Sequence, residues 1–234
     1  MLGKRNSIKV RHEYKYLITE GSYLQLKNIL DKTMYMDKHS KDSEGYHIRS
    51  LYFDDIYDTA LNEKYLGIPN RRKFRVRIYN FSDKVIKLEE KIKYDNYIQK
   101  KVCSISKSEY EDIFDGNIES LIHDNNSVKK NYYYQIRNNM LRPKVIVDYK
   151  REAYTFPFNQ IRITFDRGLS AQRPYRNIFD KDLISYNVGQ GYENILEVKY
   201  DNYLPNHIKN ALEMYCHSRL AISKYVICRE HLSI

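Results

Sequence analysis

From Lys73 to Ile78 the chain alternates cation and hydrocarbon: Lys73, Arg75 and Arg77 take one parity, Phe74, Val76 and Ile78 the other. In an extended strand, residues i and i+2 project to the same face. This segment is therefore a strand with one charged and one apolar side. The pattern recurs along the chain. Lys87, Glu89, Lys91 and Lys93 alternate with Leu88, Glu90 and Ile92. Arg162, Thr164 and Asp166 alternate with Ile161, Ile163 and Phe165. Glu197 and Lys199 share a face with Ile195, while Leu196 and Val198 take the other; Arg11, Glu13 and Lys15 oppose Val10, His12, Tyr14 and Tyr16. The segment around Arg49 is less regular, because Leu51 and Phe53 share its parity. Like charges placed opposite one another on neighbouring strands repel. Repeated on several strands, the pattern suits the lumen of a closed barrel that holds a polyanion better than an ordinary solvated sheet face.

The strands read as Ile8–Ile18, Tyr46–Asp54, Arg72–Phe81, Lys84–Tyr94, Tyr97–Ile105, Lys144–Tyr154, Gln160–Leu169 and Asn194–Tyr200, with a last candidate at Tyr225–Glu230. Ser82-Asp83, Asp95-Asn96 and Phe156–Asn159 read as tight connections. Helices are expected at Thr19–Met34 with Thr19 as N-cap, at Asp55–Tyr65, at Ser106–Phe114, at Ile118–Met140 as one long helix or two short ones, and at Leu204–His217. The strands form hairpins and not βαβ units. The expected fold is α+β: an antiparallel β-barrel tunnel of about eight strands with helices packed outside, as a single domain over residues 1–234.

Charge narrows the function. Lys and Arg number 40 against 30 Asp and Glu, a net charge of +10. Such an excess favours phosphorylated ligands, nucleic acid or acidic lipid, the last allowing peripheral membrane association. Three cysteines, Cys103, Cys216 and Cys228, without a Cys-x-x-Cys pair, argue against a disulfide scaffold and fit a reducing cytoplasm. No apolar run approaches the roughly 18 residues of a membrane span, and no signal peptide is visible. There is no Walker A loop, nucleophile triad or Gly-rich dinucleotide loop. Tyr132–Tyr134 with Lys129 and Lys130 read as a packed helix face, not a base-stacking platform. Arg71-Arg72-Lys73 continues into an alternating strand, which speaks against a nucleic-acid patch. His47 and His12 read as packing residues.

Phosphate explains the residue types. Arg grips two phosphate oxygens with a planar fork and Lys acts as a point charge. Phosphoryl transfer needs positioning and charge neutralisation, usually with a metal bridging phosphate oxygens. Hard divalent metals take carboxylates. Glu13, Glu89 and Glu197 are the available acids, each competing with an ion pair to its strand neighbour.

Taken in order, Arg11–Tyr16, Ile48–Asp54, Arg72–Tyr79, Leu88–Lys91, Tyr149–Arg151, Ile161–Asp166, Leu196–Lys199 and Ser223–Tyr225 resemble the vacuolar transporter chaperone (VTC) catalytic domain, one of the triphosphate tunnel metalloenzymes. The resemblance spans nearly the whole chain. It implies a polyphosphate polymerase that moves the γ-phosphate of ATP onto a growing inorganic polyphosphate chain with Mn²⁺ or Mg²⁺. It implies catalytic roles for Lys15, Arg75, Arg77, Lys91, Arg151, Arg162 and Glu197, and phosphate binding by Arg49, Lys100, Lys199 and Lys224. Lys101 is the alternative to Lys100. Glu197 is the implied metal ligand, with Glu89 and Glu13 as further candidates. Hydrolytic tunnel enzymes typically open with Glu-x-Glu-x-Lys; Arg11 stands where the first acid would be, which favours holding a long product over triphosphate hydrolysis. The alternatives are a tripolyphosphatase or nucleoside triphosphatase of the same fold, or a non-catalytic polyphosphate-binding module.

Overall fold

The computed structural model describes residues 11–37, 39–40, 44–95, 97–188 and 194–232, without the side chain of Arg11. The expected start of the first strand at Ile8–Val10 and Asn96 of one expected turn lie outside these residues. Along the chain come β1 (Arg11–Leu17), α1 (Glu20–Thr33), β2 (Tyr35–Met36), β3 (Tyr46–Asp54), α2 (Thr59–Tyr65), β4 (Arg71–Tyr79), β5 (Ser82–Tyr94) and β6 (Tyr97–Ile105). They are followed by α3 (Lys107–Asp115), α4 (Glu119–His123), α5 (Ser127–Asn139), β7 (Arg142–Phe156), β8 (Ile161–Gln172), β9 (Tyr186–Asn187), β10 (Asn194–Asp201), α6 (Asn206–Tyr215) and α7 (Lys224–Leu232). The fold is α+β with eight principal strands in antiparallel pairing, as the alternation predicts.

Two compact units divide the chain. The first takes residues up to Tyr46, Lys150–Gly168 and Gly189–Ile222. In it β1, β10, β8 and the later part of β7 are hydrogen-bonded neighbours in that order. Their apolar face carries Tyr16, Ile163, Phe165, Leu196 and Val198, buried against Leu26 and Leu30 of α1 and Ile208 and Leu212 of α6. Thr19 caps α1 as expected, its hydroxyl accepting from the Ser22 N–H at 3.1 Å.

The second unit takes His47–Tyr149, Leu169–Val188 and residues from Ser223 on. Here the earlier part of β7 is followed by β3, β4, β5 and β6. Leu51, Phe53, Phe74, Val76, Ile78 and Leu88 are buried under Tyr110 and Ile113 of α3, Leu121 of α4 and Val128 and Tyr132 of α5. The apolar parity read from the sequence is the core parity in both units.

Two local expectations need correction. Tyr225–Glu230 is not a strand but most of α7. The β-branched run misleads, because the buried residues Tyr225 and Cys228 lie three apart, at helical spacing. The β4–β5 turn is not at Ser82-Asp83 but two residues earlier, at Asn80 and Phe81, both with positive φ (50° and 57°). Positive φ at both central positions is the turn geometry that matches strand twist. It is unfavourable for an aromatic residue. The Phe81 ring offsets this by stacking on His47 at 4.2 Å and lying under the Arg49 guanidinium at 4.7 Å.

Candidate phosphate-binding site

In the second unit the register builds a charged face row by row. Ser50, Arg77 and Lys87 lie side by side; so do Tyr52, Arg75 and Glu89; so do Lys73, Lys91 and Lys100. The last row sets three lysines across three adjacent strands. Glu89 is the counterion at its edge: 2% exposed, it accepts from Arg75 at 2.6 Å and from Lys100 at 2.8 Å. Burial would raise its carboxyl, but Arg75, Arg77 and Lys100 prevail and hold it at about 2. Burial lowers Lys100 to about 8, with Glu89 opposing the shift and Arg75 and Arg77 adding to it. Lys100, not Lys101, shares the Arg75 face, because Lys101 pairs with Glu90 on the other side.

Two tyrosines frame the arginines. Arg75 donates to the Tyr52 hydroxyl at 2.7 Å and Arg77 to that of Tyr149 at 3.2 Å. Lys224, from the first turn of α7, lies over the Tyr149 ring at 4.9 Å. Burial alone would raise the Tyr52 phenol, yet Arg75, Arg77 and Lys224 bring it below its ordinary value. A phenol lowered despite burial reports a strongly positive local potential.

Arg49 is placed otherwise. It pairs with Ile78, so it points to the core side with Leu51 and Phe53. There it is 2% exposed, grips Asp148 at 2.8 to 3.0 Å through Nε and Nη2, and donates through Nη1 to the carbonyls of Ile178 and Asp180. The expected phosphate contact is instead a structural cross-tie. The irregular parity around Arg49 was the signal; the motif resemblance concealed it.

In the first unit, Glu13, Lys199 and Arg162 form one row and Lys15, Glu197 and Thr164 the next. Lys199 contacts Glu197 at 2.8 Å, Lys15 approaches Glu13 at 3.6 Å, and Arg151 reaches Glu197 at 3.7 Å. Burial disfavours the Glu197 charge, but Lys199, Lys15, a hydrogen bond with Glu13 and Arg151 hold its carboxyl well below the usual range. Arg151 also makes a fork with Asp166 at 2.5 and 2.6 Å, and Arg162 pairs with Asp37 at 2.7 Å. The sequence reading missed Asp37, Asp148, Tyr52 and Tyr149 as partners. Tyr149 sits two residues before Arg151 and Tyr52 two after Ser50, so parity alone places them on these faces.

For a metal, the described residues contain no group of three or more His, Cys, Asp and Glu suited to an ion. Glu13 and Glu197 lie on paired strands, in adjacent rows of one face, each beside a lysine. Carboxylates are the ligands a hard divalent ion takes. Glu89, engaged on both oxygens by Arg75 and Lys100, is placed as a counterion.

Dense, acid-buffered cation faces on an α+β sheet have the chemistry to hold an anion. The family model for the VTC domain matches residues 10–233, so the chain belongs to the VTC domain family. Among solved structures it is similar to a Bacillus halodurans protein described as a putative adenylate cyclase, with TM-score 0.51 and 12% identity over 92% of this chain and 94% of that one. That likeness speaks for the fold. No curated protein matches the sequence. Membership of the VTC domain family supports a polyphosphate-related function. Among the described residues no helix is long and apolar enough to cross a membrane.

Proposed function

We propose that this chain is a metal-dependent polyphosphate polymerase, transferring the γ-phosphate of ATP to the end of an inorganic polyphosphate chain. The observation that carries this reading is the row Lys73–Lys91–Lys100 beside Arg75 and Arg77. Glu89 engages Lys100 at the edge of the row, and the rows still set more cations than acids on one face, which matches a chain of phosphates along its length. Arg75, Arg77, Lys91, Lys100 and Lys224 of the second unit, and Lys15, Arg151, Arg162 and Lys199 of the first, are the proposed phosphate contacts.

In the reaction a terminal phosphate oxygen of the chain attacks the γ-phosphorus of ATP. The bond to the β–γ bridging oxygen breaks and ADP leaves, so the polymer gains one phosphate. No covalent bond to the protein is needed. Arg forks fix the direction of the phosphates, and lysines neutralise charge that spreads over the transferring group. Glu13 and Glu197 would hold the divalent ion, which would supply positive charge to offset that of the phosphates. The buried free cysteines suit a reducing compartment such as the cytoplasm.

Purified protein supplied with ATP and Mn²⁺, with and without a short polyphosphate primer, should yield ADP and a ladder of lengthening polymer on a gel. Glu197→Gln should remove turnover while retaining polyphosphate binding. Release of orthophosphate without polymer would instead identify a hydrolase of the same fold. Tight binding with no turnover, indifferent to Glu197→Gln, would identify a binding module.

A further inference from the structure

At one end of the second unit the α2–β4 connection meets the β5–β6 hairpin: the Asp95 N–H donates to Asn70 Oδ1 at 3.0 Å, and Arg71 pairs with Lys93 across the strands. This junction exposes apolar side chains of a size rarely left in water together. Leu66 is 77% exposed, Tyr97 75%, Tyr94 68%, Ile98 51% and Ile68 37%. Arg71 and Lys93 stand beside them, paired with each other across β4 and β5, with Ile98 next to Lys93 on β6. Large exposed apolar groups rimmed by charge mark a docking surface.

From these features we infer that this end of the second unit docks on an anionic lipid surface. Three observations favour a bilayer over a protein partner. The apolar groups are two tyrosines at a hairpin tip with aliphatic neighbours, the amphipathic mixture that settles at a headgroup boundary. Arg71 and Lys93 lie level with Ile98 in the strand register, where each gains from anionic headgroups, and the whole chain carries +10. The strand at this edge, β6, carries adjacent lysines Lys100 and Lys101, which oppose strand-to-strand pairing with a second copy. The acid at the tip, Asp95, has its backbone tied to Asn70 in a residue of positive φ, and reads as a turn former. Docking here sets the start of β4 at the lipid surface, with Lys73, Arg75 and Arg77 following along the strand.

The test is sedimentation of the full chain with vesicles of phosphatidylcholine alone and of phosphatidylcholine mixed with phosphatidylglycerol. Binding is expected to the mixed vesicles only, weakening with added salt. Leu66→Ser with Ile98→Ser should weaken it about tenfold, with tripolyphosphate binding by calorimetry unchanged as proof of folding. Absence of binding to either vesicle, equal binding to both, or full binding by the double variant would overturn the proposal. So would light scattering that shows a dimer broken by the double variant without vesicle binding, which would assign the surface to a second copy.

Discussion

Arg49 and Arg75 sit on adjacent strands and illustrate how one side-chain type serves two ends. Arg49 is spent on Asp148 and two carbonyls; Arg75 is held on the opposite face by Glu89 and Tyr52. Arg49→Met should therefore leave Asp148 buried and uncompensated, costing about 3 kcal/mol or more. For a chain of this size that lowers Tm by roughly 10 °C. Adding Asp148→Asn should restore part of the loss, and calorimetry should show tripolyphosphate affinity unchanged. Lys100 carries a pH effect. Its ammonium, brought down to about 8, is fully charged below that pH and neutral above it. Its unfolded value is near 10.4, so the folded state binds fewer protons between the two, and stability rises with pH through that window. Anion binding runs the other way. Tripolyphosphate affinity should fall as pH rises through about 8, with proton uptake on binding seen in buffers of different ionisation enthalpy. Lys100→Arg should flatten the profile.

At the level of elements, alternation made the strands legible: Tyr46–Asp54 is met to the residue, and the apolar parities are the ones buried. What alternation cannot show is where a strand bends or stops. The Asn80-Phe81 turn rests on a ring stack with His47, and α7 on burial of Tyr225 and Cys228; both causes lie far away in sequence. Helix α2 likewise starts at Thr59 and not at Asp55. Asp54 and Asp55 stay outside it and accept the N–H groups of Thr59, Ala60 and Leu61 at 2.9 to 3.0 Å. Gly45, just before β3, has φ of +84° and lies where a Cβ would come within 2.1 Å of the Arg151 carbonyl oxygen. Gly45→Ala must therefore push β7 away at Arg151, the residue that bridges Asp166 and Glu197. Loss of thermal stability together with weakened polyphosphate binding is the expected outcome; a stable variant with full affinity would show that the close approach has no bearing on the site.

Across the whole molecule, the excess of cations over acids was plain from the sequence, but their pairing was not. Asp37, Asp148 and Asp166 gave no signal as counterions because their partners come from distant strands. The pairing has its own consequence. Lys15 faces Glu197 across a strand pair, Lys199 faces Glu13, and Glu89 touches both Arg75 and Lys100. Under the proposed function, an arriving phosphate group displaces a resident carboxylate on either face, and a departing one returns the cation to it. Each face then works as an ion exchanger. Every step swaps one counterion for another, so the grip on any single phosphate stays modest and a long anion advances without first breaking free.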